Sequence, residues 1–157
     1  MSFSDSGLLY PDTVLTDLRA SNAKQVFKVL AEYTAQRHES LCVTDVEEQL
    51  LEQEAQSPSG IGEGVAIVQM SLPELERPFV MYARMPNRID IQAIDNEPVD
   101  LLVFLASPET GPLHLRRLSQ ISRMLRDRDF CHCLRSAETE DAVRAIWSTA
   151  EQRRLAA

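Results

Sequence analysis

The stretch VDLLVFLA, residues 99–106, is the strongest strand signal in this chain of 157 residues. After Asp100 every position of the stretch is apolar, so both faces of the predicted strand must be covered by other parts of the protein. Helical hydrophobic patterns lie on both sides of it in the sequence. We therefore predict an α/β sandwich, with this strand at the centre of a sheet that helices cover on both faces.

The other predicted elements follow from hydrophobic periodicity and from residues that favour helix ends or turns. Strands are expected over 13–18, 65–68, 78–85 and 89–93. Helices are expected over 22–37, 44–56, 112–127 and 130–135, with a last helix after residue 136. We expect Ser21, Thr44 and Ser136 to cap three of these helices, with Thr44 and Glu47 forming a capping box.

Composition and charge bound the possible functions. The chain is 44% hydrophobic and 25% charged, which is typical of one globular domain, predicted over residues 1–157 with 1–12 as a lead-in arm. Its net charge of -8 argues against nucleic-acid binding and against docking on anionic lipid. No apolar run reaches the roughly 20 residues of a membrane span. Three cysteines without a secretory signal predict free thiols in the cytoplasm.

Two local patterns suggest ligand chemistry and are better explained structurally. The glycine-rich segment 60–64 precedes a predicted strand, whereas a phosphate-binding loop joins a strand to a helix, so we interpret it as backbone turns. Cys131, His132 and Cys133 are adjacent, but zinc sites favour a wider spacing and a fourth ligand. We therefore predict no metal site and no cofactor. His38, beside two charged residues, is interpreted as a solvated surface residue.

Four ordered blocks of sequence resemble the enzyme IIA domains of the sugar phosphotransferase system. They are of the fructose/mannitol type, of which the nitrogen-regulatory proteins are one branch. The blocks are LLEQE (50–54) with SGIGEGVAIVQ (59–69), IDNEPVDLLVFL (94–105), a helix beginning at His114, and CLRSA (133–137). The resemblance covers about residues 8–150. It implies a mixed β-sheet sandwiched between helices, and a site built around one phosphorylated histidine.

The resemblance places Gln69 where the family has its phospho-acceptor histidine. A neutral imidazole nitrogen accepts a phosphoryl group, whereas an amide nitrogen shares its lone pair with the carbonyl and is a poor nucleophile. Gln53 stands where the family has an arginine that helps to neutralise phosphate. His114 matches the family's second histidine, and Ser59 stands in the same degenerate phosphoryl site.

We therefore predict a degenerate IIA protein that acts as a regulator by binding proteins, and lean against an enzyme. Two alternatives stay open: an active phosphocarrier that uses His114 as acceptor, and a small-anion binding module in which Arg116 and Arg117 supply the charge. By resemblance, the partners are an HPr-like donor, a sensor kinase or a potassium-transport regulator. A homodimer is also left open.

Overall fold

The computed structural model of the chain describes residues 9–91 and 95–156. Its strands are β1 (Thr13–Leu15), β2 (Gly60–Gly62), β3 (Val65–Ser71), β4 (Phe79–Ile89) and β5 (Val99–Ser107). They form one sheet in the order β1-β4-β5-β3-β2. The pairs β1–β4 and β3–β5 are parallel, whereas β2–β3 and β4–β5 are antiparallel. The expected mixed sheet is confirmed.

Strand β5 lies in the middle of the sheet and is buried along its whole length. Leu102, Phe104 and Ala106 belong to one hydrophobic core. The alternate residues Leu101, Val103 and Leu105 belong to a second core on the other face. Side chains of a strand alternate between the two faces of its sheet, so a run that is apolar at every position supplies two cores at once.

Helices cover both faces of this sheet. They are α1 (Ala23–Ala35), α2 (Val43–Gln56), α3 (Pro112–Leu125), α4 (Arg128–Ser136) and α5 (Glu140–Ala156). Helices α1 and α2 contribute to the core that contains Phe104, and α3, α4 and α5 contribute to the core that contains Val103. The result is a three-layer α/β/α arrangement. Within the described ranges, no helix has both the length and the apolarity needed to cross a membrane.

The first predicted helix cap is off by one residue. Asn22, and not Ser21, has the extended backbone of an N-cap, and its side chain accepts a hydrogen bond from Gln25 N–H. Ser21 instead donates its backbone N–H to the Gln25 side chain at 2.7 Å. The two bonds are reciprocal. Gln25, the third residue of α1, donates its backbone N–H to the cap Asn22, and its side chain accepts the N–H of Ser21, the residue before the cap.

The other two predicted caps are wrong. Helix α2 begins at Val43 after Cys42, so Thr44 lies inside the first turn and does not cap it. Ser136 ends α4 and donates its hydroxyl to His132 O, so it does not cap α5. Thr139 Oγ1 accepts from Ala142 N–H at that position. In each case a nearby residue takes the cap position, Cys42 in place of Thr44 and Thr139 in place of Ser136. Local sequence does not decide between such neighbours.

Several strand bounds differ from the prediction. Strand β1 ends at Leu15, and β3 continues to Ser71. The two strands expected over 78–85 and 89–93 are one long strand, β4, with a register shift between Arg84 and Ile89. Ala93 of the predicted strand, and residues 1–8 of the predicted arm, lie outside the described residues.

Residues 9–12 of the predicted lead-in arm pack against α5. The Leu9 N–H donates to Glu151 at 3.3 Å, and the indole N–H of Trp147 donates to Leu9 O at 2.6 Å. Arg144 donates to Pro11 O at 2.8 Å. These bonds fix the start of the described chain beside the core formed by α3, α4 and α5.

Candidate functional site

The glycine-rich segment forms the turn between β2 and β3, so the interpretation of backbone turns that feed a strand is confirmed. Gly62, Glu63 and Gly64 all have positive φ, at 102°, 57° and 82°. A Cβ at Gly64 would lie 2.9 Å from both Arg135 Nη2 and Asp100 Oδ1. Arg135 also donates to Glu63 O at 2.8 Å. Arg135 is also ion-paired with Asp100 at 2.9 Å, so these contacts hold the turn from which β3 begins.

Three elements bring together the residues at the centre of the site. Gln69 lies on β3 and pairs in register with Leu105 of β5. Ser107 ends β5, and His114 lies in the first turn of α3. His114 Nε2 is 2.6 Å from Gln69 Oε1, and His114 Nδ1 is 2.7 Å from Ser107 Oγ. Both ring nitrogens are therefore engaged by side chains from adjacent parallel strands.

These contacts fix the proton of the His114 ring. Gln69 Oε1 can only accept a hydrogen bond, so His114 Nε2 carries the proton and donates it. In the neutral ring, His114 Nδ1 is the acceptor and the Ser107 hydroxyl donates to it. Burial lowers the pKa of His114, and the positive charge of Arg117 lowers it further, while Glu109 acts in the opposite direction. The imidazole is neutral in this arrangement, and its Nε2 has no free lone pair.

The two arginines that follow His114 point to different surroundings. Arg117 is buried and forms a short ion pair with Glu109. Arg116 is exposed, and no hydrogen bond or ion pair joins it to another described residue. Neither side chain lines the cavity beside Gln69. The charge that Arg117 brings near His114 is balanced by a carboxylate.

A cavity of about 190 Å³ lies between the C-terminal end of α2, β3 and α3. Gln53, Ser59 and Gln69 line it, with Leu50 and Leu118 among its apolar walls. Three of the four predicted site positions thus surround one cavity, and the fourth, His114, is hydrogen-bonded to Gln69. The sequence prediction that these residues are neighbours agrees with this geometry.

Three residues of the site were missed by the sequence analysis, namely Ser107, Glu109 and Glu54. Ser107 and Glu109 come directly after the apolar run of β5. Polar residues just beyond the carboxyl ends of parallel strands collect at one edge of a sheet, which was an available signal. Glu54 accepts the Ser59 N–H through its carboxylate oxygens, at 3.1 and 3.2 Å. No local pattern indicates that pairing.

The other candidate residues lie away from this site. Cys131 is buried on α4, whereas Cys133 and Cys42 are exposed. Among the described residues, no group of three or more histidine, cysteine or acidic side chains is arranged to hold a metal ion. His38 follows α1 and is half-buried, and its Nδ1 lies 2.7 Å from Ser40 Oγ.

Comparison with known proteins identifies the family of this site. Residues 8–149 match the family described as phosphoenolpyruvate-dependent sugar phosphotransferase system, EIIA 2. The chain belongs to this EIIA 2 family. It is 35% identical over 144 residues to a nitrogen regulatory protein of Bradyrhizobium diazoefficiens, an alignment that covers 88% of this chain and 91% of that protein. The EIIA 2 assignment therefore extends over nearly the whole chain.

Solved structures of EIIA 2 relatives share the fold. The nitrogen regulatory protein IIA-Ntr of Neisseria meningitidis superposes with a TM-score of 0.78 at 25% identity, covering 85% of this chain and 92% of that one. Mannitol enzyme IIA of Escherichia coli, solved in complex with phosphorylated mannitol enzyme IIB, gives a TM-score of 0.73 at 15% identity, covering 90% of this chain and 97% of that one. This EIIA 2 chain is thus similar to the nitrogen-regulatory proteins in sequence and in structure.

Proposed function

We propose that this chain is a nitrogen-regulatory type of IIA protein that carries no phosphoryl group at position 69 and acts by binding other proteins. The observation that carries the proposal is the 2.6 Å contact between Gln69 Oε1 and His114 Nε2. In the sequence resemblance, position 69 is that of the acceptor histidine. A glutamine there keeps a polar contact with His114, but its amide cannot serve as a phosphoryl acceptor.

The surroundings of Gln69 support the same proposal. Fixed positive charge beside the transferred group stabilises the transition state and accelerates phosphoryl transfer. Gln53 is neutral, and the lining of the cavity includes no arginine or lysine among the described residues. Arg117 is paired with Glu109 and does not line the cavity. Both the acceptor and the charge that would stabilise the phosphoryl group are missing from the proposed site.

His114 is the alternative acceptor, and its geometry argues against that role. An acceptor nitrogen must present a free lone pair to the donor. His114 Nε2 donates to Gln69, Nδ1 accepts from Ser107, and the side chain is buried. Phosphorylation of His114 would require the ring to break both hydrogen bonds and turn outward.

The exposed surface beside His114 supports binding to a protein. Leu113 and Leu115 are 39% and 60% exposed on either side of His114. Both leucines lie in the first turn of α3, and contiguous exposed apolar surface commonly marks an interaction site. The mannitol IIA neighbour was solved in complex with a protein, phosphorylated enzyme IIB. We propose that this surface binds an HPr-like protein, a sensor kinase or a potassium-transport regulator, in the cytoplasm.

Phosphoryl transfer tests the proposal directly. The wild-type protein, Gln69→His and a surface control, Gln49→His, are incubated with a phosphorylated HPr-type donor, and intact mass is measured. We expect Gln69→His to gain one phosphoryl group, and the wild type and Gln49→His to gain none. A phosphorylated wild type would overturn the proposal, and loss of that label in His114→Ala would make His114 the acceptor. If Gln69→His and Gln69→His/Gln53→Arg, which also supplies a positive charge, both stay unlabelled, position 69 is not the acceptor position.

Protein binding needs its own measurement. Binding of the unphosphorylated HPr-type protein is followed by calorimetry for the wild type, Leu115→Gln and Arg126→Gln. Arg126 is exposed at the far end of α3 and serves as the control. We expect Leu115→Gln to weaken binding and Arg126→Gln to leave it unchanged. Equal affinities for all three proteins would show that the binding surface does not include the start of α3.

A further inference from the structure

We propose that the cavity beside Gln69 binds a primary ammonium group, carried by a small amine or by a lysine side chain of a partner protein. The inference deepens the proposed function, because it requires that the cavity is not engaged in phosphoryl transfer. It is carried by the charge of the lining, by one unpartnered buried hydroxyl and by the size of the cavity.

The lining of the cavity favours a cation over an anion. Among the described residues that line it, Glu54 is the one with a charged side chain. The chain as a whole has a net charge of -8, which adds a field that attracts cations. A phosphate in this cavity would lie near a carboxylate without a lining cation to balance it, whereas an ammonium group would lie near an opposite charge.

Ser59 supplies the second, independent observation. Its side chain is 8% exposed, and its Oγ lacks a hydrogen-bond partner among the described residues. The backbone of Ser59 is satisfied, because its N–H donates to Glu54 and its C=O accepts from Ile67 N–H at 3.0 Å. Buried hydroxyls are normally hydrogen-bonded, so the unpaired oxygen of this cavity-lining residue indicates a missing partner.

The available groups match the donors of an ammonium group. A primary ammonium group has three N–H donors and no acceptor. Ser59 Oγ, the Glu54 carboxylate and the side-chain oxygen of Gln53 are three acceptors that belong to residues of the lining. Leu50 and Leu118 give apolar walls to the same cavity. Methylene groups attached to the ammonium group would contact such walls favourably.

The volume limits the size of the ligand. Sites for drug-sized ligands and cofactors occupy about 300–1,000 Å³. The cavity of about 190 Å³ is smaller than this range. It therefore suits a short alkylammonium ion or the end of a lysine side chain, and it excludes a nucleotide.

The test uses n-butylammonium as the probe and compares it with n-butanol, butyrate and inorganic phosphate. Each is titrated into ¹⁵N-labelled wild-type protein while the amide signals of Ser59, Gln53 and Gln69 are followed by NMR. We expect saturable shifts of these signals with n-butylammonium alone. Saturable shifts with phosphate or butyrate, equal shifts with n-butanol, or no shifts with n-butylammonium would each overturn the proposal.

Two matched variants test the role of the charge. Glu54→Gln keeps an acceptor for Ser59 N–H and removes the charge, whereas Glu52→Gln removes the same charge from an exposed position on the same helix. We expect affinity for n-butylammonium to fall about tenfold or more in Glu54→Gln, since charge-assisted hydrogen bonds contribute this much. Affinity in Glu52→Gln should stay within about twofold. Equal losses in the two variants would contradict a site at Glu54.

A second variant and a second probe complete the test. Ser59→Ala, which removes the unpartnered hydroxyl, should also weaken binding, and unchanged affinity would count against the site. Nα-acetyl-lysine methylamide is titrated beside n-butylammonium. Tighter binding of the lysine derivative points to a partner's side chain, and tighter binding of n-butylammonium points to a free amine. None of these results alters the intact-mass assay, so the two proposals fail separately.

Discussion

The Nδ1 atom of His114 lies 2.7 Å from the hydroxyl of Ser107, so the first turn of α3 is tied to the last residue of β5. The other nitrogen of the ring contacts Gln69 on the neighbouring strand. One imidazole thus joins two parallel strands to the start of a helix. Burial favours the neutral form of the ring, and this has a consequence for stability.

We predict that His114 makes the protein less stable at acidic pH. Burial lowers the pKa of His114 below its ordinary value of 6.5, so the unfolded chain binds this proton more readily than the folded protein. The neutral His114 ring contributes fully to the free energy of unfolding above about pH 6.5. This contribution is lost as the pH falls toward the pKa of His114 in the folded protein. Urea unfolding of the wild type and His114→Gln at several pH values checks this.

His38, which is half-buried and lies away from the site, provides the control for that measurement. Between about pH 7 and pH 5, the wild type and His38→Gln should lose stability more steeply than His114→Gln, because they retain the buried titrating group. The same pH dependence in all three proteins would show that His114 does not contribute to it.

Two glycines with similar φ angles should respond differently to alanine. Gly64 has φ +82°, and an added Cβ would meet Arg135 and Asp100 at 2.9 Å, whereas Gly111 has φ +87° and open space around it. We expect Gly111→Ala to cost about 2 kcal/mol through the backbone alone, because φ +87° with ψ -148° lies in a region that is essentially confined to glycine. Gly64→Ala should cost about 3 kcal/mol, because it also disturbs the Arg135–Asp100 ion pair. Chemical denaturation measures both, and equal costs would contradict the close approach at Gly64.

Trp147 is predicted to be a major source of stability in the core beneath α5. It is fully buried, and its ring packs edge-to-face against Phe130 and Tyr82, with ring centroids 5.5 Å and 6.3 Å apart. We expect Trp147→Ala to reduce the free energy of unfolding by about 4 kcal/mol, since it leaves a large cavity. Trp147→Phe should cost about 1–2 kcal/mol, mainly through the lost hydrogen bond to Leu9 O. Circular dichroism during urea unfolding measures both.

The three thiols should differ in reactivity. Burial raises the pKa of Cys131 to about 11, whereas Cys42 and Cys133 are exposed. The thiolate is the reactive form, so two thiols should react quickly with a maleimide at about pH 7.5 and the third only after unfolding in urea. Cys131→Ser should keep two fast thiols and lose the slow one. Three equal rates in the native wild type would contradict the buried position of Cys131.

Much of the fold was determined by the sequence alone. The run VDLLVFLA predicted a central strand covered on both faces, because burial of consecutive side chains needs a core on each side. The periodic helices and the glycine-rich turn were also predicted, since each depends on residues close together in the chain. Helix caps and strand bounds were less accurate. At Ser21 and Thr44 a neighbouring residue took the cap, and the two segments around Arg84 and Ile89 joined into one strand.

The chemistry of the site depended on tertiary structure. The resemblance named Gln69 and His114, but their hydrogen bond joins residues 45 positions apart and follows from the pairing of β3 with β5 and the position of α3. The Arg117–Glu109 pair and the unpartnered hydroxyl of Ser59 were likewise absent from any local pattern. Local sequence fixes which elements form, whereas the order and register of the strands decide which side chains meet and which charges remain unbalanced.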